Sequence, residues 1–487
     1  MNRSLTIAAA ELRLMLRSRL ALVGVVTLLL LSAIAAVTSA SQMAQAAIAR
    51  AEAQAATDAQ FKAQPDRHPH RMVHYGTYAL RPVGPLAAFD PGVDSFTGTV
   101  LFLEGHRQNS ATFGAARESS DLLRFGQLTP AFVLQTLAPL LLIFLGFATV
   151  ARERERGSLR ALAAHGASAR SILTGKALAL GVVALLALAP AFVALGWAAV
   201  GWTALGQPNE GGVALVVALT YSGYLAAWVL GIVALSGIAR TSQGALIALI
   251  AAWALIVVLV PRAAAGIAGV ADPLPSRVDT ELAIAADLRR IGDSHNPKDP
   301  HFAAFKAKLL KQYGVTRTED LPFNYRGRLA QEGERITSEL FKDYAARADA
   351  IRQRQSGWLG WAGVLSPALS VRNASMVGAA TDLSTHTAFM NAAEAYRFDL
   401  VQRLNGLQAS AVASADDAAR SKDPLADRRT RISADFWKNM PEFAFSAPSA
   451  AARMMAMLPF VALLGMWIVL AAGMLALAAR RMERHGA

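Results

Sequence analysis

The sequence predicts an all-α polytopic membrane protein with six transmembrane helices, and three observations support this fold class. The 487 residues are 54% hydrophobic and only 17% charged, with a mean hydropathy of +0.33, whereas a soluble chain carries roughly a quarter charged residues. The apolar residues fall in blocks of about the 20 residues needed to cross ~30 Å of hydrocarbon. The cores of these blocks contain no Asp, Glu, Lys or Arg.

The first 19 residues predict a helix that lies in the membrane interface, because its apolar and basic residues fall on separate helical faces. The apolar face comprises Leu5, Ala8, Ala9, Leu12, Met15 and Leu16, and the basic face comprises Arg3, Arg13 and Arg17. The apolar run that follows, 20–40, is longer than the 7–15 residues usual in a signal-peptide core. We therefore interpret this run as the first span rather than as a cleaved signal.

Five further apolar blocks predict the remaining spans. The fifth block is short and the fourth carries two tyrosines and a serine, so their edges are less sharply defined. The blocks are 131–151, 177–202, 213–238, 245–260 and 454–479.

Basic residues orient these spans in the bilayer. They concentrate before the first span, in the second-to-third loop, in the fourth-to-fifth loop and in the tail 480–487. With six spans, these four places lie on one side of the membrane. Since cytoplasmic loops carry the excess of Lys and Arg, both termini are predicted to be cytoplasmic, with the spans in an inner membrane.

Two long polar stretches, 41–130 and 261–453, are therefore predicted to be extracytoplasmic. Apolar residues recur at helical spacing over 328–355, and a further helix is predicted over 385–404. The segments 81–98 and 291–300 are rich in Pro, Gly and Asp and predict loops. Neither stretch alone has an obvious closed core, so we expect the two to pack together as one mostly helical lobe.

The cytoplasmic loop 152–176 is the candidate site for coupling to an energy source. It contains a charged run, a Gly–Ser break, a short helix-like piece over 159–164 and a second glycine break. A short helix held along the membrane between two spans could receive a push from an ATPase; an ordinary basic loop is the alternative. The candidate coupling residues are Glu153, Arg154, Glu155, Arg156, Gly157, Ser158, Leu159, His165 and Gly166.

The sequence predicts no ATP site and no bound cofactor in this chain. Gly175 and Lys176 resemble part of a phosphate loop, but Arg170 and Ala177 stand where that motif requires Gly and Ser or Thr. The predicted spans contain none of the ionisable groups that ion-coupled carriers place there. The driving energy is therefore expected from a partner.

His68, His70 and His74 form a candidate transition-metal site, because three imidazoles lie within seven residues. The alternative is that they are solvated or hydrogen-bonded, with Pro69 setting the backbone shape. Glu104 and His106 do not match the helical metalloprotease motif. No catalytic residue is predicted, and the chain has no cysteine for thiol chemistry or disulfides. The net charge of +13 accompanies no nucleic-acid motif, so no nucleic-acid partner is expected.

The chain resembles the permeases of type 2 ABC transporters, and in particular a bacterial subgroup with a large extracytoplasmic insertion of unknown function. The resemblance rests on the interfacial helix, the six spans and the charged Glu-Arg-Gly-Ser loop that ends in Gly-Lys before the third span. Further matching stretches are 68–76, 84–92, 102–109, 122–131, 153–158, 366–372 and 392–397.

This resemblance implies a non-enzymatic permease subunit in a dimeric transmembrane core, either a homodimer or a pair with a related permease. It implies two bound ABC ATPase subunits, which would hold the ATP and Mg²⁺. The expected function is movement of an unidentified substrate across the inner membrane, in the outward direction. The alternative is a non-transporting component that transmits ATPase-driven conformational change to a periplasmic partner.

Overall fold

The computed structural model describes residues 3–109, 128–201, 209–292, 296 and 299–484, and most of them are helical. Within these described residues, six helices are long and apolar enough to cross a membrane. We number them as spans one to six: Arg19–Lys62, Pro130–Glu155, Ala169–Gly201, Gly211–Ile238, Ser242–Ala271 and Ala450–Arg484. A separate amphipathic helix, Arg3–Arg17, precedes span one.

Spans one and five extend farthest beyond the apolar blocks that predict them. The helix of span one continues without a break to Lys62, which is well beyond residue 40. Span five continues to Ala271, although a helix boundary is predicted just before Pro261. A π-helical segment, Ala254–Leu259, lies directly before this proline, and Ser366 donates a hydrogen bond of 2.6 Å to the carbonyl of Ile256 inside it. Extra partners of this kind allow a helix to continue past a proline.

Span two is irregular at both ends. It contains the π-helical segment Val133–Leu137, and its helix is interrupted over 147–150 before a last turn, Ala151–Glu155. At this interruption the buried hydroxyl of Ser236 on span four accepts hydrogen bonds from the N–H groups of Val150 and Ala151, at 3.1 and 3.2 Å. Span four therefore supplies the partners that the broken helix of span two lacks.

Spans two, three and four form the apolar core of the bundle. In the most apolar segment of each of these spans, between 44% and 56% of the residues are buried, against 22% in span one and 11% each in spans five and six. Gly146 of span two lies so close to Ile232 and Leu180 that a Cβ there would approach their side chains to 2.6 and 2.7 Å. The exposed faces of spans one, five and six are thus available to lipid or to another chain.

In the parts of the two long polar stretches that the structure describes, there are short and long helices and one small sheet. Strands β1 (Thr77–Leu80) and β2 (Val100–Leu103) pair antiparallel, with Thr77 opposite Leu103. Among the described residues between spans one and two, the α-helices are Pro69–Tyr75 and Asp94–Thr97. Those between spans five and six are Arg277–Ile291, Pro300–Tyr313, Tyr325–Trp361, Pro367–Ala379, Leu383–Ala411, Ser414–Ala419, Pro424–Arg429 and Asp435–Lys438.

These two stretches pack on each other and form a single lobe. Met72 and Val73 from the first stretch share a core with Leu404 and Trp437 from the second. The indole N–H of Trp437 also donates a 2.8 Å hydrogen bond to the carbonyl of Gln64. The helices predicted over 328–355 and 385–404 lie within Tyr325–Trp361 and Leu383–Ala411.

One helix of the second polar stretch belongs to the membrane bundle. Pro367–Ala379 is largely buried, and Val371 and Ala374 join the core of the spans. Arg453 at the start of span six donates to the carbonyl of Gly378 at 2.7 Å and binds both carboxylate oxygens of the buried Glu210 on span four at 2.5 Å. The prediction treated this segment as part of the polar lobe, because its 13 residues are too few to cross a bilayer.

The four basic stretches gather at the end of the bundle opposite the lobe. A Cβ on Gly166 in the second-to-third loop would lie 3.0 Å from the guanidinium of Arg3. Arg154 in the same region bonds to backbone carbonyls at the end of span four. Met482 near the end of span six lies beside Gly237 of span four.

Candidate functional site

The charged run after span two is tied to the rest of the molecule by its own side chains. Lys176 of span three is almost fully buried, with 1% of its side chain exposed. Its ammonium group lies 2.8 Å from Oε1 of Glu153 and 3.0 Å from Oε2 of Glu11 on the amphipathic helix. This group of three charges, which we call the Lys176 cluster, joins the N-terminal helix, span two and span three.

Two neighbouring residues bind the adjoining ends of spans four and five. The guanidinium of Arg154 donates to the carbonyls of Ala239 and Gly237, at 2.5 and 2.6 Å. The carboxylate of Glu155 accepts from the N–H and the hydroxyl of Ser242, at 2.8 and 2.5 Å. A cation therefore lies at a helix C-terminus and an anion at a helix N-terminus, the arrangement that the helix dipole favours.

A short helix, Ser158–Ala164, follows this anchored run and is exposed to solvent; we call it the docking helix. Gly157 and Gly166, at its two ends, adopt positive φ angles of 73° and 78°. Leu159 is buried and holds the helix against the protein. The other side of the docking helix is exposed, including Arg160, Ala164 and the adjoining His165.

The nine predicted coupling residues therefore separate into three groups. Glu153, Arg154 and Glu155 make bonds within the chain, and their contact with a partner stays a prediction. Leu159 faces inward. Arg156, Gly157, Ser158, His165 and Gly166 are exposed.

Sequence reasoning missed the internal partners of the charged run. The sequence places Lys176 at the end of the coupling loop but does not indicate its carboxylate partners, and Glu11 is not among the predicted coupling residues. A signal was present, because Glu11 is the one acidic residue in the first 50 positions of the sequence. Gly175 also has a structural role, since a Cβ there would approach the carbonyl oxygen of Ser4 to 2.7 Å. Glycine thus permits the amphipathic helix to pack tightly on span three.

The structure divides the predicted histidine group. His68 is buried at the start of helix Pro69–Tyr75; its Nδ1 accepts from the N–H of His70 at 3.1 Å, and its Nε2 lies 3.1 Å from Asp417. Both ring nitrogens of His68 are therefore occupied, which removes it from the candidate metal site. His70 and His74 instead lie beside His106, with one ring nitrogen of each within 4.8 Å of the others.

An apolar cavity of about 420 Å³ lies where span one leaves the bundle toward the lobe. Its walls include Ala40 and Met43 of span one, Phe89 of the lobe, and Leu195 and Trp197 of span three. The cavity lies at the opposite end of the bundle from the docking helix and could accommodate an apolar group.

These features define a multi-pass α-helical membrane protein with a soluble-type lobe and an exposed docking helix between spans two and three. Comparison with known families agrees with this class. The sequence profile described as ABC-2 family transporter protein matches residues 5–280, more than half of the chain. The chain therefore belongs to the ABC-2 transporter family, which makes it a component of membrane transport. A second profile, described as a domain of unknown function (DUF3526), matches residues 277–446. No curated protein matches the chain.

The profile boundary agrees with the architecture. The ABC-2 match ends and the second match begins close to Arg277, where the first lobe helix after span five starts. Of the stretches that carry the resemblance, part of 122–131 lies outside the described residues, as do residues 202–208 of the third-to-fourth loop.

Proposed function

We propose that this chain is the permease subunit of an ABC transporter in the bacterial inner membrane. In this proposal it moves an unidentified substrate outward, and a separate ATPase subunit binds ATP and Mg²⁺ and hydrolyses the ATP. The chain itself binds no nucleotide. The observation that carries the proposal is the exposed docking helix, which is anchored to spans three, four and five by the three charged residues before it.

The anchoring supports a mechanical role for the docking helix. Glu153 bonds to span three through Lys176, Arg154 bonds to the end of span four, and Glu155 bonds to the start of span five. A rigid displacement of the docking helix by an ATPase would therefore act on three spans together. Coupling through a contiguous set of packed and hydrogen-bonded elements is what such transmission requires.

If the docking helix binds an ATPase, reversing exposed charges on and beside it should weaken that binding. Arg156→Glu combined with Arg160→Glu reverses two exposed charges without removing an anchor. Because exposed interfacial charges mainly set specificity and association rate, and each is worth roughly 0.2–1 kcal/mol, we expect a several-fold loss of ATPase co-purification and of hydrolysis. The measurement is subunit stoichiometry and ATPase activity of the complex isolated from the native membrane.

The matched control is Arg480→Glu combined with Arg484→Glu, which reverses two exposed charges at the same end of the bundle. This control should leave stoichiometry and hydrolysis near the wild-type values. If both double variants behave alike, the docking helix is an ordinary solvated loop and the proposal fails.

We further propose that the end bearing the basic stretches is cytoplasmic and that the lobe is extracytoplasmic. The clustering of these stretches at one end of the bundle supports this orientation, because basic residues accumulate in cytoplasmic loops. Cysteines introduced as Ala63→Cys and Ser421→Cys in the lobe should react with a membrane-impermeant maleimide in intact spheroplasts. Ala164→Cys on the docking helix should react only after permeabilisation.

All three labelling positions are exposed, and the natural chain has no cysteine, so unmodified protein provides a clean background. Labelling of Ala164→Cys in intact spheroplasts, with none at the two lobe positions, would invert the proposed topology.

The proposal includes a second permease, either another copy of this chain or a related one. The apolar surfaces of spans one, five and six support this, because they are mostly exposed in the single chain. A transport path would then form between two permeases rather than inside the closely packed core of spans two, three and four.

The same packed core also supports a second candidate function, in which the chain transmits ATPase-driven movement to a periplasmic partner. Helix Pro367–Ala379 packs on spans four and six, and Arg453 links it to Glu210, so motion of the spans would reach the lobe directly. Mass spectrometry of the native complex distinguishes the two candidates. A bound small molecule favours transport, whereas a stoichiometric periplasmic protein without one favours transmission.

A further inference from the structure

Three histidines from two separate segments converge on one side of the lobe. His70 and His74 lie one helical turn apart on helix Pro69–Tyr75, and His106 follows strand β2 in a left-handed turn with φ of 64°. The ring centroids of these histidines are 4.7, 5.4 and 6.0 Å apart. Hairpin β1–β2 therefore brings the chain back beside helix Pro69–Tyr75, where His106 adds a third imidazole.

The distances suit a tetrahedral metal ion. Nε2 of His70 lies 3.2 Å from Nε2 of His74. An ion with bonds of about 2.0–2.1 Å to two imidazoles in tetrahedral geometry holds their nitrogens about 3.3 Å apart. The i, i+4 spacing on one helical face is also the spacing with which helical metal sites present two histidines.

A carboxylate supports the third imidazole from behind. Oε2 of Glu334 accepts a 3.1 Å hydrogen bond from the backbone N–H of His106 and lies 3.5 Å from its Nδ1. Glu334 is itself held by Arg397 at 2.6 Å. Metal-ligating histidines are commonly oriented by a carboxylate in this way.

A simple hydrogen bond between two neutral histidines would explain the 3.2 Å contact alone, but it leaves other features unexplained. It does not account for the third imidazole beside the pair or for the carboxylate that lies 3.5 Å from Nδ1 of His106.

We propose that His70, His74 and His106 bind one transition-metal ion, of the class of Zn²⁺ or Cu²⁺. All-imidazole sites suit these ions, and three protein ligands leave a coordination position for a water or an exogenous group. The site lies in the lobe and is separate from the docking helix, so it stands independently of the proposed transport function.

The test uses the full chain in detergent, purified through a tag that contains no histidine and stripped of metal with a chelator. Titration with Zn²⁺ followed by calorimetry should show one ion bound per chain. His106→Gln should reduce the affinity at least tenfold, and His70→Gln combined with His74→Gln should abolish stoichiometric binding. Binding of Co²⁺ should give the visible d–d absorption of a tetrahedral site, which weak surface binding does not give.

His165→Gln, which changes an exposed histidine of the docking-helix region, is the matched control and should bind Zn²⁺ as the wild type does. Glu334→Gln keeps the ligands and should weaken binding about 10–100-fold while leaving one ion per chain. Elution volume and melting temperature without metal show whether each variant is folded. The proposal is overturned if folded His106→Gln binds Zn²⁺ with wild-type affinity, or if the wild type binds no stoichiometric ion.

Discussion

Replacing Glu11 and Glu153 together by alanine should destabilise the protein by about 3–5 kcal/mol, because it leaves the buried ammonium of Lys176 with no carboxylate. Lys176 is 1% exposed, whereas its two partners are 13% and 25% exposed. Most of this loss of stability comes from the ammonium group of Lys176, because a charge that cannot reach water must stay unpaired or lose its proton. The effect is measured as the loss of melting temperature in detergent and of the correctly folded yield.

Single variants separate the two carboxylates. Either Glu11→Ala or Glu153→Ala alone leaves Lys176 one partner and should cost clearly less than half of the double change. The triple variant that adds Lys176→Met removes the stranded charge and should recover most of the lost stability, because apolar replacement of a buried ion cluster is often neutral. A double variant as stable as the wild type would show that the Lys176 cluster does not hold the N-terminal helix to spans two and three.

The same cluster explains which part of the candidate site could be predicted from the sequence. The charged run, the glycine breaks and the short helix are local features, and the structure contains a helix at Ser158–Ala164 bounded by two glycines with positive φ. The partner of each charge is not local. Glu153 meets Lys176 across 23 positions and Arg154 meets Ala239 across 85, and no periodicity encodes such distances.

The fold, like the candidate site, could be predicted from the sequence only where its features are local. Six apolar blocks predict six spans because hydrophobic length is a property of the segment itself. Helix Pro367–Ala379 was not recognised as part of the bundle, because its burial depends on the surfaces of spans four and six. The hairpin β1–β2 was also missed, since four-residue strands in a helix-rich region give a weak signal.

The histidine group shows that residues close in sequence need not be close in space. His68 is two residues from His70, but it points to Asp417 and caps its own helix. His106 is 32 positions from His74 and becomes its neighbour only because β2 pairs with β1 in the register of Thr77 with Leu103. The sequence could predict a histidine-rich segment, but the third histidine comes close to the other two only through the strand pairing.

A buried ionic network behind this site should also control the stability of the lobe. Arg397 forms a two-bond pair with Glu394, at 2.7 and 2.8 Å, and donates to Glu334 at 2.6 Å. All three side chains are at most 6% exposed. Burial by itself would lower the pKa of Arg397, but the two carboxylates outweigh it and raise the pKa above its ordinary value. The guanidinium is therefore charged, and both carboxylates depend on it.

Arg397→Met should consequently strand two buried carboxylates and destabilise the lobe by about 3–5 kcal/mol. Arg397→Lys keeps the charge but loses the planar fork, so an intermediate loss is expected. The measurement is hydrogen exchange of lobe amides, because exchange reports local opening even if the spans stay folded.

Helix Leu383–Ala411, which carries Arg397, also provides a matched control. Arg403 forms an ion pair with Asp399 at 2.6 Å, but both side chains are more than half exposed. Arg403→Met should therefore change stability by at most about 0.5 kcal/mol, as is usual for solvated pairs four residues apart on a helix. Since Glu334 also holds His106, Arg397→Met should weaken Zn²⁺ binding as well, whereas Arg403→Met should not. Equal hydrogen exchange in the two methionine variants would mean that burial of the Arg397 network contributes nothing to the stability of the lobe.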